Sequence, residues 1–371
     1  MKKDFLLLIG FFVAWRVAIF ALSIWGVNTF GVQEFPSEGI RPLNYNYEDF
    51  DYGKALNSQS SWDGWQYISI SQDNFEYEYQ YAFFPMLPKL IAGLSDLTGM
   101  NAAAAGLILT NTFLLLAIIY IYKLVALDSD RKTAMKVPLL LLVFPGSFFF
   151  GMVYTESLFL LFSVLCFYYF RKEKFLLVFI FGLLLALTRN LGVLICIPLF
   201  YAYLTQYRKI KPSILALSGA PIGLAAWMTY LYITTGEFFK FVTAQSFFFR
   251  ETSPNIFKNF WTNLVETSHN YVSPTNVIEI ASVLFAVTLI ILAIVKKERK
   301  EYLIWSVLLL LVPLTQNLYD SINRYVIVIF PLFIYLAKYL KSEAMVNIYY
   351  LLAMAGFSIS TILFATFRWA G

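Results

Sequence analysis

The chain has 371 residues, 59% of them hydrophobic, with a mean hydropathy of +0.66 and a formal net charge of +5. Its apolar runs exceed what one water-soluble core can hide, which excludes a soluble domain or a disordered chain and predicts a polytopic membrane protein. The positive balance does not signal nucleic-acid binding, because the basic residues sit in short loops between apolar segments, as the positive-inside rule describes. Cys166 and Cys196 lie inside apolar segments and read as small buried hydrophobes, leaving no disulfide framework and no thiolate metal site.

Lys2, Lys3 and Asp4 precede an apolar stretch, residues 5–27, that is long enough to span and has no small-residue cleavage site after it. We read it as a retained first helix with a cytoplasmic N-terminus. A first outer loop follows over residues 28–100, polar from 28 to 81 and apolar from 86 to 97. The apolar part makes only about 18 Å of helix against about 30 Å of hydrocarbon, so it is expected to lie along the interface. Residues 102–127 form the second span.

Residues 137–170 are too long for one crossing and are interrupted by Pro145-Gly146-Ser147, which predicts a hairpin of two short helices. The same holds for residues 175–203, which carry Thr188-Arg189-Asn190 in the middle and basic clusters at both ends. Both hairpins start and finish on the cytoplasmic side, leaving an outer crevice floored by Glu156 and Arg189. Residues 214–233 lead out to a second outer loop, 234–275, and 276–295, 302–318, 326–340 and 344–367 complete about eleven spans. Most of the 28 Lys and Arg residues fall on the cytoplasmic side of this layout. The whole chain, 1–371, reads as one all-α integral membrane domain without internal repeats.

Asp63 stands between Trp62 and Gly64-Trp65, with Tyr67 one helical turn on. It suits either the N-cap of a short interfacial helix or a general base that takes the proton of an attacking hydroxyl. Asp73, Glu76 and Glu78, with Tyr77, Tyr79 and Tyr81, suit a sugar ring and equally an interfacial belt. Arg189, Arg250 and Arg324 belong to the outer side, where basic residues are scarce. They could converge on a phosphate, pair with carboxylates such as Glu156, Glu251 and Asp320, or snorkel to lipid headgroups. Glu156 reads as a partner of Arg189 or as a substrate acceptor. Arg16, beside Trp15, faces either an interface or the bundle. His269 has no partner at metal-ligand spacing, and no phosphate-binding Gly loop, serine elbow or zinc motif is present, so neither a metal nor a cofactor is expected.

Five separated stretches, in order, resemble the PIG-V family of membrane mannosyltransferases in the GT-C superfamily. They are Trp62-Asp63-Gly64 with Tyr67; Glu78 with Ala82-Phe83-Phe84-Pro85; Pro145-Gly146-Ser147-Phe148 with Tyr154-Thr155-Glu156-Ser157; Leu187-Thr188-Arg189-Asn190 with Gly192; and Ser321 with Arg324-Tyr325 and Phe330-Pro331. Ala244-Gln245 with Arg250 is a sixth, weaker match, and Phe247-Phe248-Phe249 departs from the Trp of eukaryotic members. The resemblance implies a GT-C-type helical bundle that transfers mannose, with inversion, from a polyprenyl- or dolichyl-phosphate carrier to a lipid or glycan acceptor at the extracytoplasmic face. It carries the catalytic carboxylate onto Asp63 and the donor-phosphate role onto Arg189 and Arg324, with Arg250 as a third candidate. The substrate-binding candidates are Trp62, Tyr67, Glu78, Tyr154, Glu156, Asn190, Gln245 and Tyr325. Membrane lipids, the lipid-linked donor and the acceptor are the expected partners. The alternative, a transporter or flippase of lipid-linked sugars, calls for repeated halves that the sequence lacks.

Overall fold

The computed structural model describes residues 2–32, 58–248, 253–269, 274–316, 319 and 321–368, and the regular elements among these are helices. The long, apolar α1 (Lys2–Phe30) is followed by α2 (Asp63–Asp73) and α3 (Met86–Thr98), which flank a 3-10 turn, Glu78–Ala82. Next, α4 (Ala102–Val125) begins where the Asn101 side chain accepts the Ala103 N–H at 2.8 Å, and α5 (Arg131–Leu142) where Asp130 accepts that of Thr133 at 3.0 Å. Both are N-caps that satisfy otherwise orphaned donors.

Ahead of Pro145 the backbone of Phe144 becomes extended, and the chain bends by 86° into a 3-10 turn, Pro145–Gly151. From this turn α6 (Glu156–Arg171) returns, and α7 (Phe175–Thr188) leads to a second break, where Arg189 is extended at φ −156°, ψ 151°. A 3-10 turn, Asn190–Ile195, then runs into α8 (Cys196–Tyr207). Beyond lie α9 (Gly219–Thr235), α10 (Ile256–His269), α11 (Pro274–Val295), α12 (Lys300–Leu314), α13 (Ile322–Ile327), α14 (Phe330–Tyr339) and α15 (Glu343–Ala365).

The chain is an integral multi-pass membrane protein, and both expected hairpins are present. Among the described residues six helical segments are long and apolar enough to cross a membrane, or seven if the pair bent at Pro145 counts as one span. The expected figure of about eleven is not reached by that measure, because several of the segments counted are short helices. The segment 326–340 is divided between α13 and α14, with the break just ahead of Pro331.

The shortness of two helices positions the site. Apolar on nearly every face, α6 is buried from Glu156 to Phe167 and packs between α4 and α7, which identifies it as the central core helix. Its Arg171 end is held by a bidentate pair with Asp128, at 2.7 and 2.8 Å, to which Arg299 adds a contact at 3.2 Å. Hydrogen bonding from Arg171 also holds the Asp128 carboxyl below its ordinary pKa. From this basic end α6 rises about 24 Å and α7 about 21 Å, both short of the roughly 30 Å of a hydrocarbon core. Their far ends, Glu156 and Thr188, therefore stop within the depth of the bundle.

Closure of the second break depends on Gly192, whose N–H donates to the Arg189 carbonyl at 2.9 Å. A Cβ on Gly192 would fall 2.3 Å from the carbonyl oxygen of Leu185, a backbone atom of α7 that cannot move aside alone. Gly192→Ala is expected to lower the thermal midpoint of the detergent-solubilised protein, in line with overpacking costs of about 1–3 kcal/mol. Gly93→Ala, inside α3 and meeting nothing within 4 Å, serves as the control and should not lower the midpoint.

Candidate active site

Asp63 is the first residue of α2, not its cap. The N-cap position belongs to Trp62, and no side chain caps this helix. Trp62 takes φ 58°, ψ −122°, a region that a bulky residue enters only when its surroundings impose it. Those surroundings are firm on the N-terminal side: Ser58, Gln59, Ser60 and Ser61 are all buried. The Gln59 carbonyl accepts the Val153 N–H at 3.0 Å, and the Ser61 carbonyl accepts the Tyr154 hydroxyl at 3.1 Å. The loop carrying Asp63 is thus fastened to the segment just before α6.

The Asp63 carboxylate receives Arg324 from the start of α13. Nη1 of Arg324 donates to Asp63 Oδ2 at 2.7 Å, and Nε donates to Glu156 Oε1 at 2.8 Å. Glu156, at the N-terminus of α6, is fully buried, and the same Oε1 also accepts from Nη2 of Arg189. Nε of Arg189 donates to Thr155 Oγ1 at 2.7 Å, and the Tyr67 hydroxyl lies 3.4 Å from that oxygen. Asp63, Arg324, Glu156 and Arg189 therefore form a string of alternating charge. Each ion loses hydration worth several kcal/mol on burial, and this pairing is what offsets the loss. The Tyr154 ring lies 4.5 Å from the Arg324 guanidinium carbon and that of Phe149 lies 5.0 Å from it, adding cation–π attraction in a desolvated setting.

One side of this string is open. A cleft of about 290 Å³ is lined by Asp63, Tyr67, Arg189, Asn190, Gln245, Arg324 and Tyr325, all singled out by sequence. Its remaining walls bring in Phe83, Phe84, Phe241 and Phe248, with Thr315 and Gln316 from the end of α12. The Asp63 side chain is 28% exposed and that of Arg324 6%, so the carboxylate reaches further into the opening. The arrangement offers a carboxylate base, two guanidinium groups and a mixed aromatic and amide wall in one cavity.

Four sequence candidates do not line the cleft. Glu156 and Tyr154 stand behind it as the buried supports of the arginines, and Trp62 supports the turn into α2. Glu78 faces away: its side chain is 69% exposed and pairs with Lys240 at 3.5 Å. Arg250 lies outside the described residues, as do Glu251 and Asp320. Sequence reasoning passed over Glu279 on α11, which is buried and accepts the Asn323 N–H at 2.7 Å, holding the turn that presents Arg324. An ionisable residue inside the apolar segment 276–295 was the available signal. Among the described residues no group of three or more His, Cys, Asp or Glu is arranged to hold a metal ion.

A model of the family described as Mannosyltransferase (PIG-V) matches residues 8–219, a stretch that contains Asp63, Glu156 and Arg189 and ends before Arg324. Three crystal structures of the Archaeoglobus fulgidus oligosaccharyltransferase are similar in fold. The form tethered by a disulfide to an acceptor peptide containing the NVT sequon has a TM-score of 0.46 and 13% identity, covering 96% of this chain and 55% of that one. The apo form gives 0.46 and 13%, with 96% and 56% covered, and the complex with Zn and sulfate 0.42 and 14%, with 82% and 48% covered. The chain spans about half the length of these structures. No curated protein matches its sequence. With more than half of its length matched by the family model, the chain belongs to the PIG-V mannosyltransferase family.

Proposed function

We propose that this membrane glycosyltransferase moves a hexose, mannose by its family, from a polyprenyl- or dolichyl-phosphate carrier to a hydroxyl of a lipid or glycan acceptor. The observation that carries the reading is the Asp63–Arg324 contact at the open wall of the cleft, which sets a base and a permanent cation side by side. In this reading the acceptor oxygen attacks the anomeric carbon from the Asp63 side as its proton passes to the carboxylate. The bond from that carbon to the phosphate oxygen breaks, and the electron pair leaves with the polyprenyl phosphate. Attack opposite the leaving group inverts the anomeric configuration.

A phosphate monoester needs positive charge more than a proton donor as it departs, and preorganised cations in a dry site supply it without reorganisation. Arg189 and Arg324 are assigned this role. Each keeps a guanidinium nitrogen outside the ion-pair string, Nη1 of Arg189 and Nη2 of Arg324. Asn190, Gln245, Tyr67 and Tyr325 are assigned to the sugar and acceptor hydroxyls. No metal or cofactor enters this scheme. The cleft lies at the end of α6 and α7 away from the basic loops, which by the positive-inside rule is the extracytoplasmic side, with the N-terminus in the cytoplasm.

Purified protein given labelled polyprenyl-phosphate mannose and a panel of acceptors should release polyprenyl phosphate, with undiminished rate in EDTA. Movement of intact donor across a vesicle without release would indicate a transporter instead. Asp63→Asn should lower turnover by about a hundredfold to ten-thousandfold while donor binding persists, the usual cost of losing a general base. Glu78→Gln should keep near wild-type turnover. The opposite pattern would move the catalytic role to the outer carboxylate. Arg189→Gln should weaken donor binding by at least about tenfold in protein that still elutes as a folded species, and Arg189→Lys should restore only part of it, because an ammonium lacks the rigid fork that binds Thr155 and Glu156 while offering a third nitrogen to the phosphate. Unchanged donor affinity in Arg189→Gln would reject the phosphate assignment.

A further inference from the structure

Arg16 is unexplained by the chemistry above. It stands midway along α1, about 21 Å from either end, in a segment apolar enough to span the membrane. An arginine at that depth is costly and is a functional candidate by default. Its hydrogen-bond partner among the described residues is neutral: Nη2 donates to the side-chain oxygen of Gln59. The guanidinium carbon lies 4.6 Å from the Phe20 ring. Nη1 is buried with no hydrogen-bond partner among the described residues.

The place that this guanidinium enters is specific. A Cβ on Gly151 would come within 2.8 Å of Nη1 and 3.0 Å of the Trp15 ring, so the absence of a side chain there makes the room. Gly151 ends the 3-10 turn before Val153, and the Val153 N–H is the donor to the Gln59 carbonyl. Arg16 is thereby wedged between the turn that leads into Glu156 and the strap that leads into Asp63. Between Gln59 and Asp63 stands Trp62 with its unfavourable backbone, so the strap must be gripped on the Gln59 side for that conformation to persist.

We propose that Arg16 is a positioning residue for Asp63, setting the carboxylate in the cleft by holding the Gln59 side chain. The inference rests on Asp63 being the base. A neutral hydrogen bond between apolar neighbours would add fold stability at lower cost than a cation does. The return for the cation is placement, and a misplacement of about 1 Å at a reacting group costs roughly a hundredfold in rate.

The test compares Arg16→Met, Gln59→Leu, the double variant and Gln59→Glu in full-length purified protein, with Asp63→Asn in parallel. Turnover, donor affinity and thermal midpoint are measured on each. Arg16→Met and Gln59→Leu should each lower kcat by about tenfold to a hundredfold, with donor affinity within about threefold. Arg16→Met, which takes the buried cation away, should have a midpoint no lower than wild type, whereas Gln59→Leu, which leaves that cation without its acceptor, should have a lower one. The double variant should be no slower than the slower single, because both remove one interaction. Gln59→Glu, which keeps an acceptor for Arg16, should retain wild-type kcat. Wild-type kcat in Arg16→Met or Gln59→Leu, with Asp63→Asn inactive, overturns the positioning role and leaves the base assignment standing. A kcat loss matched by a fallen midpoint in both single variants makes Arg16 a fold residue and overturns it as well. Full turnover in Asp63→Asn removes the reading on which the inference depends.

Discussion

Four charges of alternating sign inside an apolar bundle set the terms for the rest of this structure. Asp63, Arg324, Glu156 and Arg189 come from four separate stretches of chain, and Arg324 meets Asp63 across 261 residues of sequence. Taking any one of them out of water costs several kcal/mol, and removing one partner of such a buried pair typically costs about 3–5 kcal/mol through the ion left behind. Each member of the string is therefore stabilised by its neighbours, and Glu156, with two arginine partners, is never left alone by the loss of one. The shortness of α6 and α7 ends both helices where Glu156 and Arg189 must meet, and the breaks at Pro145 and Thr188 are what make them short.

Division of labour along the string follows from exposure. Glu156 is sealed in and serves both arginines at once, so it orients them and has no path to a substrate. Arg324 is nearly buried, stacked against Tyr154 and Phe149, and presents only part of its guanidinium to the cleft. Asp63 is the member with most freedom to meet a ligand. A carboxylate that is both accessible and held from behind suits proton transfer, which needs reach and fixed geometry together.

Much of this was legible in the sequence, for identifiable reasons. Apolar runs too long for one crossing, broken by Pro145-Gly146 and by Thr188-Arg189, predicted the hairpins because length against membrane thickness is simple arithmetic. Glu156 was read as a partner of Arg189 or a substrate acceptor, and the structure makes it a partner of two arginines. Asp63 reads from sequence as either a cap or a base; Trp62 holds the cap position, and the base role is the proposal made above. Glu78 shows the limit of local composition: the acidic, Tyr-rich stretch suggested a sugar wall, but a 3-10 turn aims Glu78 outward to Lys240. The Arg324–Asp63 pairing, the grip of Glu279 on Asn323 and the insertion of Arg16 beside Gly151 are long-range facts that no spacing rule encodes.

The central claim is that the two guanidinium groups at the cleft form a site for a lipid-linked phosphate. Equilibrium binding of a short-chain polyprenyl phosphate, set against the polyprenol of equal chain length, tests it most directly in the wild-type protein. The account predicts that the phosphate binds, competes with the sugar-bearing donor and loses affinity as salt rises, while the alcohol binds far more weakly. Equal affinity for phosphate and alcohol would contradict it.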